Sequence, residues 1–96
     1  MLEIRPNCEH CGKSLPNTSE EAMICSFECT YCESCVDEVF ENVCPNCGGN
    51  FEKRPIRPKA MVRKYPVSET PVLDAKSDGL ISKMKTKYKN VKPSER

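Results

Sequence analysis

Tryptophan is absent from this 96-residue chain, histidine occurs once, at His10, and phenylalanine and tyrosine occur three times each. Nowhere does an apolar run approach the roughly 18 residues that a membrane-spanning helix needs, so no membrane span is expected. The first residues, Met1-Leu2-Glu3-Ile4-Arg5-Pro6, contain no basic stretch leading into an apolar run. No signal peptide is therefore expected, and the default compartment is the reducing cytoplasm. Apolar mass is also scarce. Between residues 8 and 47 it amounts to little more than Leu15, Met23, Ile24, Phe27, Tyr31, Val36, Val39, Phe40 and Val43. Domains this small bury only about 60% of their unfolded surface and usually need a metal, disulfides or a partner to stay folded.

What the chain does have is cysteine. All eight lie between Cys8 and Cys47, spaced Cys8-x2-Cys11-x13-Cys25-x3-Cys29-x2-Cys32-x2-Cys35-x8-Cys44-x2-Cys47. In a reducing compartment such density points to metal rather than to disulfides. Two of the Cys-x2-Cys pairs run directly into glycine, Cys8-Glu9-His10-Cys11-Gly12 and Cys44-Pro45-Asn46-Cys47-Gly48. A tight turn of that kind carries both sulfurs to one ion, and glycine accepts the backbone conformation that follows. Four thiolates complete a tetrahedral shell, so eight cysteines make two closed shells and two Zn²⁺ ions are the expected cofactors. A closed shell leaves no position for substrate, so both sites read as structural and no enzymatic activity is expected. His10 is then surplus to ligation, and Glu9 and Glu33 read as solvated acids.

The pairing of the eight can be argued from length. Val36, Val39, Phe40 and Val43 have helical spacing, with Ser34 placed to cap and Pro45 to stop the helix. Eight residues of helix span about 12 Å, which would carry Cys44 and Cys47 away from an ion held at Cys32 and Cys35. The interleaved scheme therefore leads: Cys8, Cys11, Cys32 and Cys35 at one site, Cys25, Cys29, Cys44 and Cys47 at the other. The sequential scheme, residues 8, 11, 25 and 29 against 32, 35, 44 and 47, stays open, because spacing marks zinc sites without fixing their connectivity.

Charge divides the chain. Residues 1–51 carry two Lys/Arg against nine Asp/Glu, a net of −7, whereas residues 52–96 carry thirteen against five, a net of +8. Met23-Ile24-Cys25 and Cys29-Thr30-Tyr31 read as the arms of a short hairpin. Past Phe51 the prolines at 55, 58, 66 and 71 predict extended backbone. From Gly79 a weak basic amphipathic helix is expected over 79–91, capped by Ser77 or Asp78 and ended by Pro93. The expected organisation is a small metal-stabilised α+β domain over residues 1–58, with one short hairpin and one short helix. A mostly disordered, basic, Pro/Lys-rich tail is expected over 59–96.

At the level of these motifs the chain resembles the RING-finger cross-brace. The run Ile24-Cys25-Ser26-Phe27-Glu28-Cys29-Thr30-Tyr31-Cys32-Glu33-Ser34-Cys35, followed by Cys44-Pro45-Asn46-Cys47, looks like the RING core, with cysteine at 29 where many members have histidine. The stretch from Leu2-Glu3-Ile4-Arg5-Pro6-Asn7-Cys8 through Arg54-Pro55-Ile56-Arg57-Pro58 to Lys64-Tyr65-Pro66 is similar to a family of small bacterial zinc proteins that carries a domain of unknown function. The resemblance implies a RING-like, treble-clef zinc module. RING domains use an apolar residue in the first knuckle and a basic residue after the last ligand, where this chain has Glu9, His10 and Gly48. Val39 or Phe40 and Pro45 match the remaining contact positions.

The leading functional expectation is thus a monomeric zinc-dependent module that binds another protein. Nucleic-acid binding through the basic tail is a second expectation, since lysines neutralise phosphates. A RING-type adaptor for ubiquitin-like transfer is a third, resting on ligand order.

Overall fold

The computed structural model describes residues 1–96. Its centre is a three-stranded antiparallel sheet: β1 (Ala22–Ile24), β2 (Thr30–Cys32) and β3 (Glu52–Lys53), in the order β2-β1-β3. The β1–β2 hairpin pairs Met23 with Tyr31, as the arms read from sequence imply, and each strand lies one residue farther from the turn than those arms. Its turn passes through Glu28 at φ +65°, the left-handed region that few non-glycine residues enter. Strand β3 joins the other edge of β1, pairing Met23 with Lys53 and Ile24 with Glu52. It is too short to announce itself by alternation.

The expected helix over residues 36–43 is replaced by one wide turn at Cys35–Val39, closed by a five-residue hydrogen bond from Phe40 N to Cys35 O of 2.9 Å. Ser34 has helical backbone angles and makes no capping bond. The chain leaves the turn at Phe40 because Glu41 and Asn42 both take positive φ, +48° and +60°. Asn42 is suited to that role, and its Oδ1 accepts from Phe51 N at 2.9 Å. The stop therefore lies five residues before Pro45.

A compact aromatic cluster fills the space between sheet and turn. Tyr31 meets Phe40 edge-on at 4.6 Å and Phe51 at 5.5 Å, and Phe40 stacks on Phe51 at 6.2 Å. Each such contact adds about 0.5–1.5 kcal/mol to what burial alone gives. Leu15, Val36 and six of the cysteines are buried with them. Sulfur thus makes up much of the core, as the scarcity of apolar residues requires.

The expectation of a mostly disordered tail over 59–96 is corrected. Two helices form, α1 (Lys59–Lys64) and α2 (Asp78–Tyr88), and the extended strap between them lies against the first half of the chain. Helix α1 arises because Pro58 and Pro66 flank Lys59–Lys64 instead of interrupting it, and Pro58 is tolerated just ahead of the first turn. The strap is held by a side chain that imitates a strand. Asn7 Nδ2 donates to Val72 O at 2.8 Å, and Asn7 Oδ1 accepts from Val72 N at 3.2 Å. Asp74 N then donates to Glu9 O at 2.9 Å.

Helix α2 begins as the sequence implied, with Ser77 Oγ accepting from Leu80 N at 3.2 Å. Ile81 enters the core at 5% exposure, and Lys85 and Lys89 reach Glu41 at 3.6 and 3.8 Å. No helix is long and apolar enough to cross a membrane.

Candidate metal centres

The end of β2 and the wide turn place Cys32 and Cys35 side by side, and the first knuckle is laid over them. Cys8 N bonds to Lys13 O at 2.8 Å and Glu9 N to Thr30 O at 2.9 Å, which fixes knuckle to sheet. As a result the sulfurs of Cys8, Cys11, Cys32 and Cys35 all lie within 4.8 Å of one another. Cys11 Sγ is 3.7 Å from Cys32 Sγ, and Cys8 Sγ is 3.9 Å from Cys35 Sγ.

Those spacings discriminate between chemistries. A disulfide needs about 2.05 Å between sulfurs, and all eight cysteines are free. A tetrahedral ion with metal–sulfur bonds of about 2.3 Å puts its sulfurs about 3.8 Å apart. The first group fits the second case.

The second group joins the hairpin to the second knuckle. Cys25, Cys44 and Cys47 have their sulfurs within 4.8 Å of one another. Cys29 stands outside the 4.8 Å triad, yet lies near enough to Cys25 and Cys44 for both to act on its thiol. Asn46 Nδ2 points at its sulfur from 3.5 Å. Backbone amides aim at the other sulfurs: Phe27 N at Cys25 (3.3 Å), Gly49 N at Cys47 (3.4 Å) and, in the first group, Cys11 N at Cys8 (3.5 Å). Gly12 and Gly48 hold φ at +80° and +79°, the conformation that the knuckle glycines were expected to supply.

Electrostatics within each group is uneven. Interaction with Cys25 and Cys44 lowers the Cys29 thiol to about 3, while interaction with Cys25 and Cys29, together with burial, pushes Cys44 upward. In the first group burial works against ionisation of Cys11, but the Lys13 amide and the three other thiols outweigh it and lower its pKa. Burial raises Cys32 and Cys35. Cys11 and Cys29 thus ionise more readily, one in each group, whereas Cys32, Cys35 and Cys44 resist, through burial and the closeness of other thiols. A divalent cation removes the conflict, since it takes all four as thiolates. The donor set fits such an ion: Cys8, Cys11, Cys32 and Cys35 in one group, Cys25, Cys29, Cys44 and Cys47 in the other.

Residues 1–57 match the DUF1272 family, described as a protein of unknown function. The chain belongs to that family. It is also 52% identical over 73 residues to an uncharacterized protein of Rhizobium meliloti (strain 1021), a match that covers 76% of this chain and 87% of the relative. No solved structure matches the chain. The family stretch takes in all eight cysteines and the three sheet strands, and it stops before α1, the strap and α2.

Around the first group, two residues have roles that the sequence reading did not assign. Glu9 is 6% exposed, not a solvated acid. Its carboxylate accepts from Thr30 N and from Arg5 Nη1, the latter at 2.9 Å. Arg54 is 4% exposed and faces no carboxylate. Its guanidinium donates to Arg5 O (2.8 Å), Leu15 O (2.9 Å) and Pro16 O (2.9 Å), and burial lowers its pKa. It ties the segments on both sides of the first knuckle to the end of β3. No local pattern in the sequence marks it, because the two-residue strand before it does not show by alternation. His10 belongs to neither sulfur group. Its ring lies against Phe40 at 5.2 Å, and its Nδ1 is buried without a partner.

Proposed function

We propose that this protein is a two-zinc module whose ions are structural, and that the shape they hold binds another protein. The observation that carries this reading is the first sulfur group, whose 3.7 and 3.9 Å spacings match the edge of a tetrahedral metal–thiolate site. Each ion would be held by the four cysteines of one group, in the interleaved, RING-like cross-brace order. Four thiolates per ion leave no open position, and that argues for a role without catalysis of its own. The core is too small to stand alone, and structural zinc supplies about 10–16 kcal/mol of apparent folding free energy per site in comparable small modules. Eight free cysteines grouped for metal rather than paired as disulfides favour a reducing compartment such as the cytoplasm.

A protein partner is supported by apolar side chains left in water around the metal-held fold. Met1, Ile56, Met61 and Tyr65 line an open groove of about 350 Å³ between the N-terminal segment and α1, and Ile56 and Met61 are 48% and 43% exposed. Exposed apolar patches of this kind commonly mark contact surfaces.

The test is metal counting joined to folding. Protein purified under reducing conditions with zinc supplied should carry two ions by native mass spectrometry. A strong chelator should then erase its dispersed NMR spectrum, and zinc should restore it. Metal-free protein that keeps its fold would end the proposal.

A further inference from the structure

The second sulfur group differs from the first in what lies beside it. Next to Cys29 is a polar pocket of about 270 Å³, bounded by Arg5, Glu9, Tyr31, Asn46, Asp74 and Lys76, with the 69%-exposed ring of Phe27 at its side. Most of the wall comes from the stretch shared with the family, whereas the strap contributes Asp74 and Lys76. Its charges come as two ion pairs, Arg5–Glu9 at 2.9 Å and Lys76–Asp74 at 2.6 Å. Two cations and two carboxylates face one small space.

Tyr31 is 98% buried, and its hydroxyl makes no hydrogen bond within the chain. Tyr31 lines the pocket together with Cys29 and Glu9, so the little of its side chain left uncovered faces that space. A ligand acceptor in the pocket would give that hydroxyl a partner. Cys29 is the sulfur outside the 4.8 Å triad, and it follows Glu28, which is held at φ +65°. Of the four cysteines in this group it is the one whose sulfur stands apart from the others.

We propose that this pocket admits a small aminothiol, a zwitterion with a thiol on a short frame, whose sulfur exchanges with Cys29 at the second metal centre. The inference rests on the zinc reading above. The zwitterion's carboxylate suits Arg5, Lys76 and the Tyr31 hydroxyl, and its ammonium suits Glu9 and Asp74. In the exchange Cys29 gives up its metal–sulfur bond as the incoming thiol forms one. The Cys29 thiolate takes the proton that the thiol sheds, so charge and electrons balance without an oxidant. Cys11 is the more exposed cysteine, but it sits in the complete four-sulfur group, with no such collection of polar groups beside it. The first centre is therefore closed to the exchange.

The test uses the full zinc-loaded chain and a colorimetric chelator as acceptor, with L-cysteine, L-serine and 2-mercaptoethanol as probes. L-cysteine should speed the release of one ion of the two by roughly tenfold over 2-mercaptoethanol, the worth of one charge-assisted hydrogen bond. L-serine, which has the zwitterion without the thiol, should have no effect. Lys76→Ala and Asp74→Ala should bring the two thiols to equal rates while both ions still bind. In Cys29→Ala loaded with cobalt, L-cysteine should restore the absorption of a four-sulfur site. Equal release of both ions, or no advantage of L-cysteine over 2-mercaptoethanol, would overturn the proposal and leave the zinc reading intact. Wild-type protein that binds fewer than two ions would overturn both.

Discussion

The two sulfur groups have the same four donors and are closed in different ways. The first is shut by its own residues: a knuckle pinned to β2, a buried Glu9 on the Thr30 amide, and the Arg54 guanidinium across three carbonyls. The knuckle of the second is covered by a distant part of the chain. The side chains of Tyr88 and Met84 press on the second knuckle so closely that a β-carbon at Gly48 would lie 2.7 Å from the Tyr88 ring. Arg96 then donates to Gly48 O at 3.2 Å and to Asn42 O at 2.9 Å. A metal site can thus be sheltered by local sequence or by a tail, and only the first kind of shelter lies within the family stretch.

The comparison can be broken most severely at the ligands. Cys35→Ser and Cys44→Ser should each remove one ion and cost on the order of 10 kcal/mol of apparent stability, enough to unfold the domain. Metal counting and NMR dispersion would report both. A variant that keeps two ions would show that the grouping is wrong. Next comes Arg54→Ala, which strands three carbonyls beside the first centre and should cost about 3 kcal/mol in urea unfolding of the zinc-loaded protein. A loss below about 1 kcal/mol would remove Arg54 from the account of that side.

The two knuckle glycines sharpen the contrast further. Gly12→Ala meets nothing closer than Leu73 at 3.8 Å and should cost only the backbone strain of a left-handed residue, about 1–2 kcal/mol. Gly48→Ala carries the same strain and also drives α2 off the knuckle, so it should cost more and lose the helical signal of α2. Equal losses would mean that α2 does not shelter the second centre. The smallest effect belongs to Glu41→Gln, which removes the 3.6 and 3.8 Å contacts with Lys85 and Lys89. Exposed pairs of this kind contribute under about 0.5 kcal/mol, and a larger loss would make charge rather than packing the main hold on α2.

The sequence disclosed the metal chemistry better than the elements that deliver it. The cysteine spacing and the knuckle glycines were legible because tetrahedral thiolate coordination demands them locally. The interleaved grouping was argued from an eight-residue helix that does not exist. The sulfurs of Cys44 and Cys47 are separated from those of Cys32 and Cys35 all the same, because the positive-φ residues Glu41 and Asn42 redirect the chain. Periodicity in Val36, Val39 and Phe40 signalled burial and could not signal where the turn would stop. The order in residues 59–96 was hidden for another reason. It depends on Asn7 clasping Val72, 65 positions away, and on Ile81 joining a core built by the first half. Composition reports a basic, proline-rich segment and is blind to the long-range contacts that tie it down. Tyr31 shows the same limit: its ring reads as core, while the pocket that its hydroxyl faces requires Asp74 and Lys76 from the strap.

The most direct measurement is X-ray absorption at the zinc edge on the full chain, with the metal content determined on the same sample. The account predicts two zincs per chain and a first shell of four sulfurs at about 2.3 Å, with no lighter neighbour. A shell containing nitrogen or oxygen at about 2.0–2.1 Å would contradict it. Such a shell would place His10 or a solvent molecule where a cysteine has been assigned.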